Sequence, residues 1–192
     1  MFVCYPSPLI CGVIVGATIF WWEYMYQDRE RWGFTFQSYV QLTMLKQHAF
    51  KTPLPIKLME RSIYSARYCF VEKMYRDNIL PGPSASVINE WFKWSIENAD
   101  TSVDLIIYLK SSPEVVYQRM QDRNRNEEKA VSLQYLREMH EMHENWLYHK
   151  TMFNCPAPVL VLNADLEMSL IANEYVKVEP FIFSTSVTVA AS

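Results

Sequence analysis

Glycine is scarce in this chain: four residues among 192, three of them within the first 33. Phosphate-binding loops are usually built from glycine, which gives tight turns and close backbone approach, so the shortage bears directly on any phosphate chemistry. Cysteine is sparse as well. Cys4, Cys11, Cys69 and Cys155 form no C-x-x-C pair, which argues against a zinc site and against a disulfide framework and points to a reducing compartment. Charge of one sign is also lacking. With 18 basic and 21 acidic residues, net -3, no broad basic field draws the protein onto nucleic acid or an anionic membrane, and a small-molecule substrate fits better. What is present is a chain half apolar in composition, long enough to bury one sizeable core as a single domain.

Residues 1–22 differ from the rest. From Pro8 to Trp22 fifteen residues carry no charge, and the mixed sequence EYMYQDRER follows at once. A transmembrane helix needs about 20 apolar residues, so this run is short unless Trp21 and Trp22 sit at an interface. A secretory signal needs a basic residue near its start, but the first here is Arg29, and a mitochondrial leader is rich in arginine. The third reading is a buried strand, suggested by the β-branched Val13, Ile14, Val15, Thr18 and Ile19. No targeting signal is recognised, and an intracellular setting, cytoplasmic or mitochondrial, is expected.

Beyond it the pattern alternates. Trp32, Phe36, Val40 and Met44 recur every four residues and predict an amphipathic helix over 29–48, ended by Pro53 and Pro55. IKLME, 56–60, has the composition of a strand, and Ile63, Ala66, Tyr68 and Phe70 have the spacing of the helix that follows. DNILPGPSAS is turn-rich and precedes a helix around VINEWFKWSIENA; VDLIIYL, 103–109, reads as a buried strand. Ser112 and Pro113 open another helix, a further one spans about 132–149, and PVLVLNA, 158–164, is the last strong strand. Strands alternating with helices predict an α/β fold with a parallel sheet flanked by helices. The uncharged tail after Pro180 shows no helical spacing, so the expected divisions are 1–22, 23–180 and 181–192. Ligands of such sheets bind beyond the carboxyl ends of the strands, which directs attention to Glu60 and Arg61.

Four blocks carry a resemblance: WGFTFQSYVQLTM at 32–44, MERSIYSARYCFVE at 59–72, VDLIIYLKSSPEVVYQRM at 103–120 and YLREMHEMHENWL at 135–147. Together they resemble the deoxynucleoside kinase family, in its thymidine kinase 2 and insect multisubstrate branch, over roughly residues 23–170. The resemblance implies a three-layer P-loop nucleoside-kinase fold, a homodimer, ATP with magnesium, and transfer of the γ-phosphoryl group to the 5'-hydroxyl of a pyrimidine deoxynucleoside in salvage. It implies that Gln37 pairs with the base, since an amide offers a donor beside an acceptor. It implies stacking of the base between Phe70 and Phe36, with Val40, Met44 and Ala66 as pocket wall. Residue by residue, the plain alternatives are a solvated glutamine and ordinary core. Tyr26 and Glu128 match the pair that holds the sugar 3'-hydroxyl, Arg61 the arginine near the 5'-hydroxyl, and Glu60 the acidic residue associated with magnesium. Arg119, Arg123 and Arg125 match the lid over ATP; a solvated charged loop is the alternative.

Two parts of the family pattern are missing. No G-x-x-x-x-G-K-[ST] occurs, no lysine precedes Lys46, and Glu23 stands in no Glu-Pro-x-x-x-Trp block of the kind that supplies the general base. The N-terminal strand and phosphate loop are therefore expected to be replaced or missing, with Leu9–Phe20 as a candidate to fill the strand position. The H-E-x-H of His140, Glu141 and His143 is set aside as a metal site, because its histidines are three apart instead of four.

Overall fold

The computed structural model describes residues 2–3, 24–25, 28–54, 56–125, 128–166 and 168–187. No helix among them is long and apolar enough to cross a membrane. The first long helix, α1 (Arg29–Ala49), has the predicted extent. Asp28 caps its start by accepting from the Arg31 amide at 3.0 Å. At its other end Lys57 Nζ donates to the carbonyls of His48 (2.7 Å) and Phe50 (2.6 Å), so a distant lysine, rather than Pro53, satisfies the terminus.

The strand expected at 56–60 is not formed. Only Glu60 makes an isolated bridge, and Leu58 is 58% exposed, so the segment is an extended linker without the two covered faces that its composition suggested. Helix α2 comes next in three consecutive segments, Ile63–Ser65, a π-helical stretch Ala66–Val71, and Glu72–Arg76. After it are α3 (Gly82–Asn98), β2 (Ile106–Lys110), α4 (Pro113–Arg123), and α5, which runs as Leu133–His143 and then as a π-helical Glu144–Tyr148. The last elements among the described residues are β3 (Val159–Asn163) and α6 (Met168–Val187).

The sheet is parallel, in the order β1-β2-β3, where β1 is Phe2–Val3 paired with Ile107 and Tyr108, and β2 and β3 run in register from Ile106↔Val159 to Lys110↔Asn163. The position beside β2 is thus held by Phe2–Val3; Leu9–Phe20 lies outside the described residues. Side chains alternate along β2. Ile106 and Tyr108 point into a core with Cys69, Met139, Trp146 and Leu147 of α2 and α5. Leu105 and Ile107 pack on the opposite face with Leu162, Tyr175, Val178 and Ile182, which brings in α6. Helices on both faces of a parallel sheet make the expected three-layer α/β fold.

One departure concerns the C-terminal segment. α6 runs through Pro180 to Val187 and so crosses the boundary expected at 180. Proline removes one helical hydrogen bond, but Tyr175, Val178 and Ile182 bury against the sheet on both sides of it. Their partial burial contributes less for each than the roughly 1.5–3 kcal/mol of a fully buried side chain, and the three together carry the helix past the break.

Candidate nucleoside site

The site begins at the turn into α2. Arg61 has φ 64, in the left-handed region that a side chain adopts only when its surroundings hold it there. Its neighbours in the chain supply that hold. Ser62 and Ser65 form a reciprocal capping box, Ser65 N to Ser62 Oγ at 3.2 Å and Ser62 N to Ser65 Oγ at 3.1 Å. The Ile63 amide donates to His48 Nε2 at 3.3 Å, tying the turn to the end of α1. Burial, with the Lys57 charge nearby, pulls the His48 pKa down to about 4, which keeps that nitrogen an acceptor at neutral pH.

Beyond the turn the π-helical stretch sets the direction of Phe70. At 3.6 residues per turn Phe70 would stand about 80° round the helix from Ser62, with Cys69 closer in line. The wider turn from Ala66 to Val71 rotates the chain so that Phe70 lines a cavity with Ser62 and Ala66 while Cys69 is buried in the core.

That cavity, a cleft partly open to solvent that encloses about 20 Å³, lies between α1 and α2. α1 contributes Phe36, Gln37, Val40 and Met44; the turn and α2 contribute Arg61, Ser62, Ser65, Ala66 and Phe70. Its walls are apolar apart from a few polar groups, the usual make-up of a small-molecule site. Gln37 donates from Nε2 to Met74 Sδ at 3.1 Å, and its carbonyl Oε1 is buried without a partner. A buried amide oxygen left unpaired costs free energy until something donates to it. Arg61 lays its guanidinium over the Phe70 ring, 4.4 Å from the centroid.

A second cluster lies on the loop after α4. Glu128, 2% exposed, accepts from Arg123 Nη2 at 2.6 Å and Nε at 3.2 Å, and Arg125 approaches it at 3.7 Å. Arg119 is elsewhere: it donates to the carbonyls of Ala164 (2.6 Å), Leu166 (2.9 Å) and Asp165 (3.4 Å), beyond the end of β3.

The chain matches the family described as Deoxynucleoside kinase over residues 21–181. It is 51% identical over 144 residues to mitochondrial thymidine kinase 2 of Macaca fascicularis and equally to that of Homo sapiens, covering 75% of this chain and 54% of each relative. Deoxycytidine kinase of Mus musculus is 35% identical over 156 residues, 75% of this chain and 60% of that protein. This chain belongs to the deoxynucleoside kinase family. It spans about half the length of the curated thymidine kinase 2 relatives that it matches.

Of the residues that the family resemblance singled out, Phe36, Gln37, Val40, Met44, Arg61, Ala66 and Phe70 meet in one cavity. Glu60 is half-buried at the edge of the turn and is not among the lining residues, Glu128 pairs with Arg123 and Arg125, and Tyr26 lies outside the described residues. Ser62 and Ser65 escape a reading of the sequence for chemistry; their spacing as a capping box is the sign that could have found them. A polar group behind Phe70 escapes it too. Tyr108 donates to Glu144 Oε1 at 2.7 Å, Lys110 bonds Glu144 Oε2, and its ammonium lies 4.0 Å from the Tyr148 ring. Burial raises the Glu144 pKa, but the bonds from Lys110 and Tyr108 outweigh it and hold the carboxyl below its ordinary range.

Deoxynucleoside kinases are generally ATP-dependent, and the described residues do not supply a complete place for ATP or for the magnesium that the resemblance implies. Gly33 is inside α1, with Met74 Cε only 2.6 Å from where a Cβ would stand, and Gly82 opens α3; neither forms a phosphate loop, while Gly12 and Gly16 lie outside the described residues. No three His, Cys, Asp or Glu among the described residues are grouped to hold a metal ion. Arg123 and Arg125 offer charge suited to phosphate, but both are paired with Glu128.

Proposed function

We propose that this chain is a deoxynucleoside kinase-like protein that seats a pyrimidine deoxynucleoside in the cavity between α1 and α2, for transfer of the ATP γ-phosphoryl group to the 5'-hydroxyl in nucleotide salvage. The observation that carries the reading is Gln37: an amide whose oxygen lacks a partner, set in a slot with Phe36 and Phe70 among its walls. A pyrimidine offers the complementary donor and acceptor on its edge and a flat face for the rings. In this reading Arg61 approaches the 5'-hydroxyl, Tyr26 and Glu128 hold the 3'-hydroxyl, Glu60 associates with magnesium, and Arg119, Arg123 and Arg125 belong to the lid over ATP. Phosphoryl transfer depends on positioned charge, which makes buried Arg61 the central cation. A homodimer through α1 and α3 fits the exposed Leu42, Val87, Trp91 and Trp94 on those helices.

A second reading, a nucleoside-binding or dimer-partner protein with little transfer activity, is favoured by the lack of any G-x-x-x-x-G-K-[ST] in the 192 residues. Single electrostatic groups of that kind are commonly worth about 10²- to 10³-fold in rate. Two assays on the same preparation separate the readings. Thermal stabilisation by thymidine or deoxycytidine tests the cavity, and transfer of labelled phosphate from ATP to thymidine tests the chemistry. Stabilisation with transfer supports the first reading; stabilisation without transfer supports the second; no stabilisation by either nucleoside rejects the cavity reading.

A further inference from the structure

We propose that His143 is a positioning residue for the nucleobase pocket, its imidazole fixing the ring of Phe70 at the cavity wall. The inference rests on the reading of the α1–α2 cavity as the nucleoside site. Phe70 projects from the π-helical stretch of α2 and is half-buried, with its ring partly open to the cavity. Two groups set its orientation. Arg61 covers the ring at 4.4 Å, and His143 meets it in a T-shaped contact with centroids 6.4 Å apart and planes at 78°.

His143 itself is held on two further sides. Its ring lies nearly parallel to that of Tyr108, 6.4 Å away with an interplanar angle of 13°, and Tyr108 is locked by its bond to Glu144. Its Nδ1 is 2.7 Å from the carbonyl oxygen of Met139. A carbonyl only accepts, so Nδ1 carries the hydrogen and Nε2 the lone pair, which fixes both tautomer and ring orientation. The helix contributes too. His143 ends the regular part of α5, and the wider turn beginning at Glu144 lets these two consecutive residues both face inward. Burial first, and the nearby Arg61 charge in addition, bring the His143 pKa to about 4, so no second cation forms beside Arg61 at neutral pH. A buried, polar, tautomer-fixed ring behind a stacking aromatic does more than an apolar side chain of that size requires.

The test is thymidine affinity of the full chain, with the melting temperature of the unliganded protein recorded beside it. His143→Leu fills the space without a flat ring and is expected to weaken thymidine binding about three- to tenfold, the range of an aromatic pair. His143→Phe keeps a ring and is expected to retain affinity within about twofold even if its melting temperature falls. In a cycle with Phe70→Ala, the Leu substitution is expected to add nothing to the loss already caused at Phe70. A lower melting temperature with unchanged thymidine affinity in His143→Leu, or full additivity with Phe70→Ala, overturns the inference while leaving the cavity reading intact. Wild-type protein that binds neither thymidine nor deoxycytidine overturns both.

Discussion

The cavity between α1 and α2 and the arginine stretch after α4 differ in how their polar groups are occupied. In the cavity Gln37 Oε1 is buried without a partner and Arg61 is held in a left-handed backbone by a capping box and by His48. In the arginine stretch the charges are already matched within the chain, Arg123 and Arg125 by Glu128, and Arg119 by carbonyls beyond β3. A site with an unmet acceptor is prepared for a ligand, because binding relieves a desolvation cost. A site whose charges are matched gives up existing bonds when a phosphate arrives.

The largest expected effect breaks the first side of that comparison. Gln37→Leu is expected to reduce thymidine affinity by about 10²-fold or more, since an apolar wall leaves the base edge unpaired, while the unliganded melting temperature stays level or rises because a buried unpaired oxygen is removed. Differential scanning fluorimetry with and without thymidine reads both. A pH series comes next. His48 and His143 are held near pKa 4 in the fold, against 6.5 as the ordinary value. The unfolded chain therefore takes up protons first, and stability is expected to fall as pH drops from about 6.5 to about 4, by on the order of a few kcal/mol in total. Urea unfolding across that range measures it, and His143→Phe should flatten the slope.

The second side is addressed by Glu128→Gln, which releases Arg123 and Arg125. Both arginines are substantially exposed, so no buried cation is stranded. The expected stability loss is about 1–2 kcal/mol, and the melting-temperature shift produced by ATP should grow, not shrink. The smallest effect belongs to Gly33→Ala. The added methyl displaces Met74 Cε, the mobile end of a side chain, and helix propensity returns about 0.5–1 kcal/mol. Stability should change by less than about 1 kcal/mol. Thymidine affinity should fall only slightly, through the loosened bond from Gln37 to Met74.

The two regions are also unequally legible in the sequence. The cavity side can be read because the blocks at 32–44 and 59–72 resemble the deoxynucleoside kinase family within short stretches of sequence, and Phe36, Gln37, Val40, Met44, Arg61, Ala66 and Phe70 then converge. The π-helical turns cannot be read, since nothing local distinguishes ARYCFV or ENWLY from ordinary helix; the shift in each comes from packing against other elements. Lys57 capping α1 depends on a contact across a loop, so its role is hidden behind the more obvious Pro53. IKLME has strand composition without becoming a strand, and α6 continues past Pro180 because sheet burial outweighs a local breaker.

The most direct test is a calorimetric titration of thymidine into the wild-type chain at pH 7. Saturable binding of one nucleoside per chain is expected, displaced by deoxycytidine and reduced at least about 10²-fold in Gln37→Leu. Absence of binding to the wild-type chain, or undiminished binding to Gln37→Leu, contradicts it.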